Sequence, residues 1–245
     1  MTGLAGSAPL KLSILMPAFN EAPTVETAVA AVLAVPVEKE LIIVDDGSTD
    51  GTREILSRLG REHPDINVIF HDHNQGKGAA VRTALKAAGG DVVVIQDCDM
   101  EYNPMDLVGM LDLIARGEAE VVYGTRSFTG HSSFSFWFVM GNKLVTLATN
   151  VLFDIYISDM ETCYKMMRAE AAQKLRLTAR GFELEPEITG GLVNLGYRIY
   201  ETPVHYRARS REEGKKLTWE DGVRALWMLV KVRLQQPTVR ARATR

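Results

Sequence analysis

Through residue 125 the chain alternates short apolar runs with segments of helical period, and few architectures satisfy that pattern. Apolar runs fall at 12–17 (LSILMP), 40–45 (ELIIVD), 66–70 (INVIF), 91–97 (DVVVIQD) and 120–124 (EVVYG). They lack the in–out polar alternation of a strand with one wet face, so each reads as a strand buried on both sides. Between them, 22–34, 51–61, 77–88 and 104–116 carry helical periodicity. Asn103 and Pro104 are placed to open the last of these as cap and first-turn residue. This spacing predicts an α/β fold, Rossmann-like, with a mostly parallel sheet flanked by helices. Ligands of such sheets bind beyond the carboxyl ends of the strands. The polar stretches PAFNE, DDGSTDGT and DCDME all fall at those ends.

After residue 125 the pattern changes. A polar stretch, RSFTGHSSFS, leads into an apolar helical segment from Phe136 to Phe153. A helix is expected near 183–195, a strand near 197–204, then the loop RARSREEGKK and a closing helix, WEDGVRALWMLVKVRL. The expected organisation is a flexible N-terminus at 1–10, a single domain over 11–235 and a basic tail at 236–245. At 245 residues the chain can bury a sizeable core. With 46% hydrophobic and 24% charged residues it is neither a disordered chain nor a disulfide scaffold. A net charge of −3 gives no signal for nucleic acid. Cys98 and Cys163 stand far apart, without metal-ligand spacing, as expected of a reducing compartment. No charged-then-apolar leader opens the chain, and no apolar run reaches the length of a membrane span. A cytoplasmic protein is the expectation.

The stretch VVVIQDCDMEYNP, residues 92–104, ends a buried strand in three acids: Asp97, Asp99 and Glu101. If the extended conformation persisted, alternate side chains would converge and like charges would raise one another's pKa. A hard divalent cation, magnesium or manganese, removes that conflict, taking one or two protein carboxylates and filling its other positions with water and phosphate. The triplet therefore suggests a site for a metal-bound diphosphate, against the plainer reading of a solvated loop with helix caps. Asp45 and Asp46 stand at the tip of another strand, where acceptors could read nucleobase N–H groups or ribose hydroxyls. Asp50 or Thr49 could cap the next helix. Lys77, between two glycines at a helix start, could meet an anion or simply follow a turn; the spacing is not that of a Walker loop.

PAFNE, IIVDDGSTDGT, NQGKGAA, QDCDME, GTRS and GFELEPEI, in this order, resemble the family 2 glycosyltransferases of GT-A fold, over roughly residues 10–235. The likeness is strongest to the branch of dolichyl-phosphate mannose synthase and bacterial polyprenyl-phosphate glycosyltransferases. The resemblance implies a nucleotide-sugar half at 11–125 and an acceptor half at 126–235. It implies that Pro17, Ala18, Asn20, Glu21, Asp45 and Asp46 line the nucleotide pocket, with Lys77 and Asp97 nearby. Asp97 and Asp99 match the family's metal-binding Asp-x-Asp, and Glu101 stands where the branch often has Gln. Arg126 matches an acceptor-phosphate contact, and Asp159 matches a recurring acid at the sugar or acceptor site, alternatively a cap or a buried ion pair. Arg209, Lys215 and Lys216 lie where the family carries a basic acceptor loop, but its serine is absent and its spacing differs. Lys143, beside Asn142, is the nearest substitute for a further arginine of the branch.

The implied activity is inverting, metal-dependent transfer of a hexose from a GDP-mannose- or UDP-glucose-type donor to a polyprenyl phosphate at the cytoplasmic membrane face. Mg2+ or Mn2+ held by Asp97, Asp99 and Glu101 would be the cofactor. Two alternatives stand beside it. One is transfer to a soluble or glycan hydroxyl, for which Glu183, Glu185 or Asp159 would serve as base. The other is a non-catalytic nucleotide-sugar-binding module. Phe134, Phe136, Trp137 and Phe138, and Trp219, Leu226, Trp227, Leu229 and Val230, could lie on a membrane surface, form ordinary core or make an oligomer interface. The tail KVRLQQPTVRARATR is basic without an acid, which suits an anionic leaflet.

Overall fold

Leu12–Ala18 forms β1, the strand about which the sheet is organised. A computed structural model of the chain describes residues 10–126, 136–208 and 219–235. Lys39–Asp45 (β2) pairs parallel to β1 on one side, with Ile66–Phe70 (β3) beyond it. The chain then crosses back to lay Val92–Ile95 (β4) parallel to β1 on its other side. Val121–Thr125 (β5), Lys165–Arg168 (β6) and Ile199–Pro203 (β7) complete a 7-stranded sheet of order β3-β2-β1-β4-β6-β5-β7. Only β6 runs antiparallel, between β4 and β5. Strands from both halves of the chain thus share one sheet. The reversal of winding between β1 and β4 opens a crevice at their carboxyl ends.

The helices are Val25–Leu33 (α1), Thr52–Glu62 (α2), Lys77–Ala87 (α3), Asp106–Ala115 (α4), Phe136–Phe153 (α5), Ala169–Lys174 (α6), Leu184–Asn194 (α7) and Trp219–Gln235 (α8). The core sits on the central strands: Leu12, Ile14, Leu15 and Met16 of β1 are buried, as are Val92 to Ile95 of β4. Burial of each such side chain stabilises the fold by about 1.5–3 kcal/mol. Ser13, the one polar side chain in β1, is buried too, and its hydroxyl donates to Glu40 at 2.6 Å.

Three local expectations need correction. The strand expected over 91–97 ends at Ile95: Gln96 still donates its N–H to Leu15 O at 2.9 Å, and the chain then enters a turn in which Met100 takes φ 58°. Helix α4 begins at Asp106 rather than Pro104; Asn103 Oδ1 accepts the Met105 N–H at 3.1 Å in the turn before it. Strand β6 and helix α6 were not foreseen. A four-residue strand that opens on a lysine gives little periodic signal, and the burial of Lys165 is decided by its partners.

Helix α8 packs against α5 and α7, with Asn194 Nδ2 donating to Val232 O at 3.1 Å and Arg233 Nε to Leu152 O at 2.8 Å. Leu229 faces this contact and is buried, while Leu226 is partly buried against the core. The opposite faces are bare and apolar: Phe136, Trp137, Met140, Leu144, Leu147 and Val151 on α5, and Val223, Trp227, Val230 and Leu234 on α8. Trp137 is 80% exposed and Trp227 63%, so neither belongs to the core. Phe134 and the side chains of Phe138 and Trp219 lie outside the described residues. Among the described residues no helix is long and apolar enough to cross a membrane.

Candidate functional site

A cleft of about 510 Å³ opens where the sheet reverses its winding, lined from the ends of β1, β2, β4 and β5 and the starts of α3 and α7. Pro17 and Ala18 end β1 on its wall. The loop that follows is locked to the loop after β2. Asn20, at φ 52°, donates its N–H to Ser48 Oγ at 3.0 Å and accepts the Thr49 N–H at 2.9 Å. The left-handed backbone there suits asparagine. Glu21 donates its N–H to Thr52 Oγ1 at 2.9 Å and itself lines the cleft. Asn20 braces the wall without lining it.

The two acids at the tip of β2 part company. Successive strand side chains point to opposite faces, so Asp45 and Asp46 cannot both meet one ligand. Asp45 is fully buried away from the cleft, held by Arg53 Nε at 2.8 Å. Asp46 lines the cleft, and its carboxylate accepts N–H groups from Gln75 at 3.0 Å and Gly76 at 2.7 Å and meets His71 Nδ1 at 2.7 Å. Asp46 thereby shapes the turn that starts α3. Gly76 in that turn has φ 95°, and a Cβ on it would stand 2.3 Å from the Arg180 carbonyl oxygen. Only glycine meets both conditions. The close approach brings the 179–182 loop, with Phe182, over the start of α3.

Lys77 is delivered to the floor of the cleft, 2.9 Å from Asp97 and 3.2 Å from Glu185. Burial opposes its charge, but the two carboxylates more than offset that and hold its pKa well above the ordinary lysine value. Asp97, Asp99 and Glu101 all line the cleft, though not by continuation of the strand. They are carried by the turn after β4, where Asp99 Oδ1 accepts the Glu101 N–H at 3.0 Å. Glu101 is directed to Tyr206, whose hydroxyl donates to it at 2.7 Å. Among the described residues no three His, Cys, Asp or Glu side chains are grouped as ligands of one ion. Asp97 and Asp99 remain a two-carboxylate set on the cleft wall.

At the other end of the cleft, Arg126 follows β5 and forks onto Asp159. Its Nε lies 2.6 Å from Oδ2, its Nη2 2.7 Å from Oδ1, and its backbone N–H also donates to Oδ2 at 3.2 Å. Its guanidinium stacks 5.0 Å over the Tyr206 ring. Burial works to raise the Asp159 pKa, but Arg126 outweighs it and brings the carboxyl below its ordinary value. Asp159 does not itself line the cleft; it holds Arg126 there. Lys143 is exposed on α5, not on the cleft wall, and Arg209, Lys215 and Lys216 lie outside the described residues.

Between these residues runs a segment from which sequence reasoning took Asp159 but not Glu161. In SDMETCYK, Asp159 holds Arg126, and Cys163 Sγ lies 3.9 Å from Lys77 Nζ. Glu161 lies between them, lines the cleft, and keeps Oε1 buried with no hydrogen-bond partner. Burial, with Glu185 and Asp159 adding to it against Lys165 and Arg126, pushes its pKa up to about 7. Lys165 is fully buried and donates to Glu185 Oε2 at 2.6 Å, to Met160 O at 2.9 Å and to Thr162 O. The available signal was the spacing itself: acids at 159 and 161 repeat the pattern of 97 and 99. Glu183, by contrast, accepts the Arg180 and Gly181 N–H groups at 3.0 Å each and fixes the loop.

Residues 13–176 match the family described as Glycosyl transferase family 2. The chain is 28% identical over 215 residues to a dodecaprenyl-phosphate galacturonate synthase of Rhizobium johnstonii, covering 84% of this chain and 62% of that one. It is 25% identical over 205 residues to a polyprenol monophosphomannose synthase of Mycolicibacterium smegmatis, covering 80% and 77%. The fold is that of glucosyl-3-phosphoglycerate synthase from Mycobacterium tuberculosis, solved with Mn2+, UDP-glucose and phosphoglyceric acid. That match has a TM-score of 0.66 and 21% identity over 94% of this chain and 82% of that one. The chain thus spans less than two thirds of the galacturonate synthase, but the family's match covers most of the sheet and the cleft acids from Glu21 to Glu161. On these grounds the chain belongs to glycosyl transferase family 2, and its fold is GT-A.

Proposed function

We propose that the protein moves a hexose, mannose or glucose, from a GDP-mannose- or UDP-glucose-type donor to a polyprenyl phosphate, with inversion at the anomeric carbon. The observation that carries this reading is one cleft that brings Asp97 and Asp99, after β4, together with Arg126, after β5, over a floor of paired charges. Donor and acceptor phosphates would occupy opposite ends, leaving the sugar between them. The names of the galacturonate and mannose synthases, both acting on polyprenyl acceptors, support the choice of acceptor.

Pro17, Ala18, Glu21 and Asp46 would form the nucleotide wall. Asp97 and Asp99 fit a divalent ion, Mg2+ or Mn2+, since such an ion takes one or two protein carboxylates beside substrate phosphate; Glu101, occupied by Tyr206, would bear on it at most indirectly. When bound, that ion supplies positive charge opposite the leaving diphosphate. Lys77 adds a second positive charge against Asp97. Arg126 keeps guanidinium N–H groups beyond those given to Asp159, and these would hold the acceptor phosphate in line. Lys143, Arg209, Lys215 and Lys216 would at most extend this acceptor contact.

A phosphate monoester has its second pKa near about 6 and is already an anionic nucleophile at neutral pH. No base is then required, which matters because Asp159 is held by Arg126, Glu183 by backbone N–H groups and Glu185 by two lysines. A hydroxyl acceptor loses all three candidates named for its base. The bare apolar faces of α5 and α8 support a peripheral position on the cytoplasmic face of a membrane, where a polyprenyl phosphate resides. The test incubates purified protein with each donor, Mn2+ or Mg2+ and a short polyprenyl phosphate. Glycolipid by mass spectrometry, lost in the D97A/D99A double variant, is expected. Glycosylation of a water-soluble acceptor with no glycolipid from any donor would reject the reading.

A further inference from the structure

We propose that Glu161 reads the sugar of the donor, accepting its hydroxyl hydrogens and, with Glu185, closing the cleft to hexuronate donors. The inference rests on the donor reading above and names the class of sugar that the cleft admits.

The position follows from the chain. Residues 159–163 stretch from the Asp159–Arg126 pair at one end of the cleft to Cys163, beside Lys77 and Asp97, at the other. A sugar transferred between phosphates held at those two ends lies over the middle of that stretch, where Glu161 is. The need for a ligand is written in the hydrogen bonding. A buried carboxylate oxygen without a partner is destabilising, and among the described residues Glu161 Oε1 is such an atom. Glu185 Oε1 also lacks a hydrogen bond, having only the Lys77 ammonium at 3.2 Å. Both are acceptors, and a neutral hexose brings hydroxyl donors.

The charges decide what is refused. Each cation of the floor is already held by a carboxylate other than Glu161: Lys77 by Asp97 and Glu185, Lys165 by Glu185, Arg126 by Asp159. Arg224, which also lines the cleft, stands beside Asp221 at 3.7 Å, so among the described residues a donor carboxylate at C6 would face Glu161 with every nearby cation already beside another carboxylate. At pH 8, the pH of the test below, Glu161 is mostly ionised, and two carboxylates there cannot bond to each other and repel strongly. The galacturonate synthase is named for a uronate; this chain's floor suits the uncharged counterpart.

The test measures binding of matched donors by calorimetry at pH 8 in Mn2+, so that no acceptor is needed: UDP-glucose against UDP-glucuronate, and GDP-mannose against GDP-mannuronate. Within each pair the members differ only at C6. The wild-type protein is expected to bind at least one neutral donor about tenfold or more tighter than its uronate. E161A should weaken that neutral donor about tenfold or more, as loss of a hydrogen bond to a charged group does. E161Q, which keeps the shape and supplies an N–H donor, should narrow the ratio within the pair. Equal affinities within the pairs, or an E161A variant that binds neutral donors like wild type while its turnover falls, would overturn the assignment and leave the donor reading standing. Failure of every donor to bind would overturn both.

Discussion

Replacing Glu161 by glutamine should stabilise the protein, and by an amount that depends on pH. The carboxyl is held at about 7 in the fold against an ordinary value of 4.5. Each pH unit between the two is worth about 1.4 kcal/mol. The sign follows from proton binding. Between those values the native state holds a proton that the unfolded chain has released, so stability falls as pH rises. Above pH 7 the whole cost of keeping the carboxylate charged in the cleft, about 3 kcal/mol, is present. E161Q has no proton to lose and escapes it. Its advantage over wild type should be about 3 kcal/mol at pH 8 and shrink to about 1 kcal/mol at pH 5. In a domain of this size that corresponds to a gain of roughly 6–12 °C in melting temperature at pH 8. Urea unfolding of both proteins at the two pH values reads the difference directly, and other acids cancel in the comparison. A variant equal to or less stable than wild type at pH 8, or an advantage that does not change with pH, would refute the argument. Stability gained at the expense of donor binding is the expected trade at a site whose strain serves function.

Asp159→Asn should leave Arg126 with one neutral partner. Breaking a mostly buried ion pair of this kind costs about 3–5 kcal/mol, and acceptor KM should rise more than kcat falls; unchanged urea stability would contradict the role given to the pair. In the wild type the stability from this pair is present above the ordinary aspartate pKa of 3.8 and is lost as pH falls through the lower folded value. W137E and W227E should each reduce partition onto vesicles containing anionic lipid by about tenfold or more, since burying an aromatic side chain is worth about 1.5–3 kcal/mol. Sedimentation with vesicles measures it. Unaltered partition together with a shift from dimer to monomer would assign the same face to an oligomer.

The α/β architecture was legible because it is written in local pattern. Buried strands are short and uniformly apolar, the helices between them are periodic, and the run from Phe136 to Phe153 is a helix at the bounds its composition suggests. The polar stretches at the strand ends, with Asp97, Asp99, Lys77 and Arg126 among them, could be placed on one cleft because a parallel sheet collects the carboxyl ends of its strands. Spacing misled where it stood in for geometry. Asp45 and Asp46 are neighbours in the chain and back to back in the fold. The three acids after β4 do meet on one cleft, but a turn and not a continuing strand carries them there.

What the sequence determined by itself is therefore the order of the elements, the covered sheet and the end of it at which chemistry occurs, since each depends on residues close together in the chain. What only the tertiary structure decided is which charges are spent on one another. Lys165 finds Glu185, 20 residues on, and Arg126 finds Asp159, 33 residues on, while among the described residues Glu161 Oε1 is left without a hydrogen-bond partner. Pairing of buried charges is settled by packing between distant elements, which local pattern in the sequence does not record.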